Sequence, residues 1–184
     1  PAHSFQRGMY RYPHACFPYE KLVHENAKRG KNLPEFELID TGIFDGNRFF
    51  DCFIEYAKAA PEDLLIRLRV VNRGPEPAPL TVLPTLWFRN TWSWGEAGAT
   101  RPEMFFDRAG GRVVARPWEM PEYFFEVEKA EDWLFTENET NNALLFGGTN
   151  ASPFTKDAFH RHVVSGVHGA VNPERAGTKC CARM

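Results

Sequence analysis

From Phe36 onward, apolar and polar residues alternate with a period of two, the spacing that sends successive side chains to opposite faces of a strand. "FELIDTGIF" runs through Asp45-Gly46-Asn47 into "RFFDCFIEYAKA", a pattern that predicts a hairpin. The clearest unit is "DLLIRLRVVNRGPEPAPLTVLPTLWF". Leu64, Ile66, Leu68 and Val70 fall on one face, with Arg67 and Arg69 on the other. After the Asn72-Arg73-Gly74-Pro75 turn, Leu80, Val82, Leu86 and Phe88 resume the alternation. Pro84 sits inside this second run. Because proline cannot donate to a ladder, it predicts an edge strand or a bulge. The runs "EMFFD", "RVVARP", "EYFFEVEK", "DWLFTEN" and "ALLFGG" bring the total to about nine short strands at regular spacing. The expected fold is all-β, an antiparallel β-sandwich.

Outside this region the rhythm fails. Pro18 to Gly30 predicts a short helix, with Pro18 at its start, Leu22 and Val23 on an apolar edge and Gly30 as its stop. Upstream, Tyr10, Tyr12, Phe17 and Tyr19 lie among prolines and read as an extended arm. Beyond Thr149 only Lys156 to Arg161 carries a helical pattern, and the rest reads as loop. The expected organisation is an arm and helix over 1–35, a sandwich core over 36–148 and a loop-rich extension over 149–184, all in one domain.

Composition narrows the function classes. At 184 residues the chain can bury roughly 70% of its unfolded surface, so it needs no disulfide or metal staple. A net charge of −2 with interspersed signs offers no basic stripe, which argues against nucleic acid. No apolar run approaches the ~18 residues of a membrane span, and no signal-peptide pattern opens the sequence. Cys16 and Cys52 are isolated and Cys180–Cys181 are adjacent. None has zinc-type spacing, so reduced thiols in a cytoplasmic protein without metal or cofactor are expected.

The search for chemistry returns one strong feature. Asp51, Glu55, Asp107, Glu126, Glu128 and Asp132 alternate with apolar residues, the pattern of a solvated strand face rather than a glycosidase acid pair. No catalytic triad order, phosphate loop or nucleophile elbow is present, and no catalytic residue is assigned. His160 and His162 are two positions apart and cannot share a ligand readily. The stretch "LPTLWFRNTWSWG" differs: Trp87, Trp92 and Trp94 surround Phe88, Arg89 and Asn90. Such rings are strong anchors whether they pack on the sheet's rim, meet a neighbouring domain or contact a ligand. The residues alone leave all three open.

With "YRYPHACFPYEKLVHENAKRG", "EFELIDTGIFD" and "LPTLWFRNTWSWG", and again with "DAFHRHVVSGVHGAVNPERAGTKCCARM", the sequence resembles the N-terminal region of bacterial glucosidase-like proteins related to glycoside hydrolase family 63, the mannosyl-oligosaccharide glucosidase-like group. Residues 100–145 resemble it less distinctly. The resemblance implies a supersandwich-like N-terminal domain followed by an (α/α)6 catalytic domain, which 184 residues cannot contain. This chain is then expected to be a non-catalytic domain that supports the toroid. Trp87, Arg89, Asn90, Trp92 and Trp94 would stand at the domain interface or the rim of an oligosaccharide pocket. The alternative is a stand-alone carbohydrate-binding or protein-interaction module.

Overall fold

A computed structural model of the chain describes residues 3–94 and 100–184. The fold is all-β, with three antiparallel sheets and a few short helices. It divides into two units, Pro1–Leu80 and Thr81–Met184, a boundary inside the stretch read from the sequence as sandwich core. Among the described residues no helix is long and apolar enough to cross a membrane.

The first unit carries a three-stranded sheet in the order β1-β2-β3, built from β1 (Phe5–Pro13), β2 (Phe49–Ala60) and β3 (Asp63–Asn72). The tyrosine-bearing arm is therefore strand β1, with Tyr10 opposite Cys52 and Tyr12 opposite Phe50. The expected hairpin through Asp45-Gly46-Asn47 does not form, because β2 takes β1 as its partner. Leu38–Thr41 is instead a 3-10 turn, closed by Glu37 N–H donating to Asp40 Oδ2 at 2.9 Å and followed by left-handed residues at Gly42, Gly46 and Asn47. That much positive φ coils the chain rather than extending it. Helix α1 (Tyr19–Ala27) lies within the expected span and stops earlier. Near its end the Asn26 side chain donates to Leu22 O and Phe36 O and accepts from Phe36 N, fastening the helix to the strand-like segment beyond it.

Register sorts the first sheet's two faces. One bears Tyr10, Tyr12, Ile54, Tyr56, Ile66, Leu68 and Val70; the other bears Arg7, Arg11, Asp51, Phe53, Glu55, Arg67 and Arg69. The alternation expected for 64–70 is present residue by residue.

The second unit is a sandwich. Strands β4 (Thr85–Trp87), β8 (Asp132–Thr136) and β10 (Lys179–Arg183) form a sheet in the order β4-β10-β8. Opposite it, β5 (Glu103–Asp107), β6 (Arg112–Arg116), β7 (Tyr123–Phe125) and β9 (Ala176–Gly177) run β7-β6-β5-β9. Met104, Val113 and Ala115 from one sheet meet Trp133, Phe135, Cys180 and Ala182 from the other in a dry core. Trp133 packs edge-on against Phe125 and tilted against Phe106. The outer face of the first of these sheets buries Leu134 and Cys181 under Phe159 of helix α3 (Ala158–Val163). β4 is an edge strand, one of the two outcomes expected from Pro84, though Pro84 falls just before the strand rather than inside it; its O accepts from Ala182 N at 3.1 Å.

Two expectations fail here. The final residues, read as loop, form β10, the central strand of its sheet. A strand covered on both faces shows no alternation, and "CCA" is too short an apolar run to announce itself. "ALLF" is not a strand but helix α2 (Asn142–Phe146). Asn141 caps it by accepting from Leu144 N at 3.1 Å, and left-handed Gly147 ends it.

Candidate functional site

The tryptophan stretch begins where β4 ends. Leu86 turns into the sandwich, Trp87 turns out, and Phe88 packs again on the core, so the strand period decides the first indole. Trp87 is 57% exposed and stands beside Lys179 of β10. Burial lowers the Lys179 ammonium below the ordinary lysine value, and its Nζ donates to Lys156 O at 2.8 Å over the Phe159 ring.

Beyond Phe88 the chain leaves the sheet but is tied down by polar bonds. Asn138 Nδ2 donates to Phe88 O at 2.8 Å, and Asn90 Nδ2 donates to Asn138 O at 3.2 Å. Asn90 Oδ1 accepts from Ser93 N, which shapes the single 3-10 turn Trp92–Trp94. The Trp92 indole N–H donates to Glu139 Oε1 at 3.0 Å and its ring is half-buried. Trp94 is 58% exposed, with the Arg89 guanidinium 5.2 Å from its ring centroid. Gly95, which closes the motif, lies outside the described residues.

Glu139 connects this loop to a cleft. Arg101 Nη2 bonds Glu137 Oε2 and reaches within 3.8 Å of Glu139 Oε1. Glu137 Oε2 also accepts from Thr178 N at 3.1 Å and Thr178 Oγ1 at 2.8 Å. Arg101, Glu103, Phe105, Glu137, Asn172 and Thr178 line an open cleft of about 310 Å³. The floor depends on Gly177, where a Cβ would collide with the Thr136 carbonyl. The buried Thr136 hydroxyl in turn donates to Thr155 O at 2.8 Å, fixing the strand from which residues 137–139 depart.

The fold thus brings Arg89, Asn90, Trp92 and Trp94 together and joins them to Arg101, Glu137, Glu139 and Thr178, which sequence reading did not single out. Trp87 stands on the sheet's outer face. The missed signal was the acid-amide-acid run Glu137-Asn138-Glu139 directly after a strand: a half-buried indole N–H needs an acceptor, and this run supplies one. Aromatic faces flanked by fixed carboxylate, amide and guanidinium groups can hold the apolar face and the hydroxyl rim of a polar ring. Of the six acids that alternate with apolar residues in the sequence, five are held in ion pairs: Asp51 with Arg11 and Arg73, Glu55 with Arg7 and Arg67, Asp107 and Glu126 with Arg112, Asp132 with Arg175; Glu128 makes none among the described residues. Asp51 is buried rather than solvated. Among the described residues no three His, Cys, Asp or Glu side chains gather as a metal site.

No protein-family model and no solved structure matches the chain. Over 216 aligned residues it is 34% identical to a Saccharomyces cerevisiae protein named Uncharacterized protein YMR196W. The alignment covers 99% of this chain and 20% of the yeast protein, so the chain spans about a fifth of that relative's length.

Proposed function

We propose that this chain is the non-catalytic N-terminal β-sandwich domain of a family-63-type, α-glucosidase-like glycoside hydrolase. It supports an (α/α)6 catalytic domain of the same polypeptide and lends Trp87, Arg89, Asn90, Trp92 and Trp94 to that interface and to the rim of the sugar pocket. The observation that carries the reading is the openness of Trp87, on the outer face of β4, and of Trp94, on the loop secured by polar bonds, each more than half exposed. Indoles bury roughly 150–250 Å² each when covered, so leaving them open is costly unless something else meets them. The length relation to the yeast protein accords with a part of a longer polypeptide. We place the protein in the cytoplasm, the compartment in which four unpaired thiols stay reduced.

A second reading, a self-sufficient carbohydrate-binding module, is favoured by the cleft beside Glu137 and Thr178. Tryptophan fluorescence titrated with glucose, mannose and short α-linked oligosaccharides separates the two. The domain reading expects no response below the millimolar range from the chain alone; saturation in the micromolar range would replace it with the module. Hydrolysis of a chromogenic α-glucoside by the purified chain would overturn its non-catalytic role.

A further inference from the structure

The sheet of the first unit ends in a strand that is unusually open. In the order β1-β2-β3, no strand among the described residues pairs with the far side of β3. β3 is 10 residues long, beyond the common length of about 5–6 residues, and all of its residues but Val71 are exposed. Edges of this kind are normally blunted by proline, by a bulge or by an inward charge, because their free N–H and C=O groups template pairing. β3 contains no proline, and its one register irregularity falls at the turn end, opposite Lys58/Ala60.

The two sides of that edge differ in chemistry. Leu64, Ile66, Leu68 and Val70 make one side apolar, and Arg67 and Arg69 make the other cationic. On the cationic face, among the described residues, Arg7, Arg11, Arg67, Arg69 and Arg73 outnumber the carboxylates Asp51, Glu55 and, at the turn end of β3, Asp63; Asp51 and Glu55 each already bridge two guanidiniums. Arg69 has no carboxylate partner among the described residues and lies 4.4 Å from the Phe53 ring centroid. The face therefore carries a surplus of positive charge, and Arg69, which bridges no carboxylate among the described residues, stands on the open edge strand. A strand laid beside β3 must place its alternate residues on these same two faces.

We propose that the β3 edge captures an extended polypeptide segment in which acidic and apolar residues alternate, by adding it as a fourth strand. The acids meet Arg67 and Arg69, the apolar residues extend the Ile66-Leu68-Val70 row, and the main chain satisfies the free edge. No residue of the tryptophan stretch takes part, so this inference stands apart from the glycosidase reading.

The test uses the full chain and a labelled, terminally blocked peptide, Ser-Val-Glu-Val-Glu-Val-Ser, followed by fluorescence anisotropy in low salt. Binding is expected, with slower amide exchange confined to 63–72. A peptide N-methylated at alternate residues should bind at least about tenfold more weakly, as should a version with lysine for glutamate. Arg69→Glu, an exposed change whose fold circular dichroism can verify, should reverse the preference between the acidic and basic peptides. No binding up to about 1 mM overturns the proposal, as does affinity indifferent to N-methylation or to peptide charge. Because the N-methylated peptide leaves the protein untouched, failure of the variant to fold does not rescue it.

Discussion

In Thr81–Met184 the strand β10 is covered on both faces, whereas in Pro1–Leu80 the strand β3 is open along nearly its whole length. Apart from Pro13, the buried apolar residues of the first unit are Phe49 and Phe50, among the described residues. The sandwich instead closes two sheets on Trp133, Phe135, Met104 and Val113 and adds a second cluster beneath α3. Among its described residues the first unit holds a single sheet, and beyond Phe44 and His14 against Phe49 and Phe50 its faces are organised by cross-strand pairs. Down β2, Phe49, Asp51, Phe53 and Glu55 alternate ring and acid, with arginines reaching over from both neighbours. Burial fixes the second unit; charge and cation–π pairing pattern the first. Per residue the former is worth much more.

That contrast can be broken first at the sandwich core. Phe135→Ala should cost about 3–5 kcal/mol, read as a lowered urea midpoint for protection of the β8 and β10 amides. A loss under about 1 kcal/mol would mean the core is not the anchor described. Gly177→Ala comes next. Its added methyl meets the Thr136 carbonyl, and a destabilisation of about 1–3 kcal/mol is expected by the same readout.

In the first unit the largest effect should come from Asp51→Asn, at about 1–2 kcal/mol, measured by exchange of the β1 and β2 amides. Hydrogen bonding from Arg11 holds the Asp51 carboxyl below the usual aspartate value, with Arg73 adding to it. Its folded value lies under the unfolded one, so its contribution is complete above about pH 4 and disappears as the pH falls through the lowered value. The asparagine variant should therefore flatten acid sensitivity in that window, and an unchanged acid profile would refute the assignment. The smallest effect is expected for Arg67→Ala. It breaks an exposed pair, should cost under about 1 kcal/mol and should cost less still in high salt.

Much of this contrast is legible in the sequence, for definite reasons. The alternation of Leu64, Ile66, Leu68 and Val70 with Arg67 and Arg69 states both faces of β3, and Pro84 states an edge. Trp87 turning outward follows from the strand period alone. What escaped was structure decided at a distance. β1 pairs with β2 across an intervening helix and turns, which no local pattern encodes. β10 is central because two other strands flank it, not because its residues alternate. The tryptophan loop was visible as aromatic, but its link to Glu139 and Arg101 spans about 47 positions for the former and required the fold.

The adjacent cysteines of β10 have a practical consequence. Cys180 faces the sandwich and Cys181 faces α3, so the two sulfurs lie on opposite sides of one strand. Burial pushes both thiols far up, Cys181 to about 12, so neither offers appreciable thiolate in the native state. Exposed Cys16 should accept iodoacetamide at once, while this pair waits for the sandwich to open. Mass-resolved alkylation would then time the opening of the second unit in cell extracts, with no engineered residue.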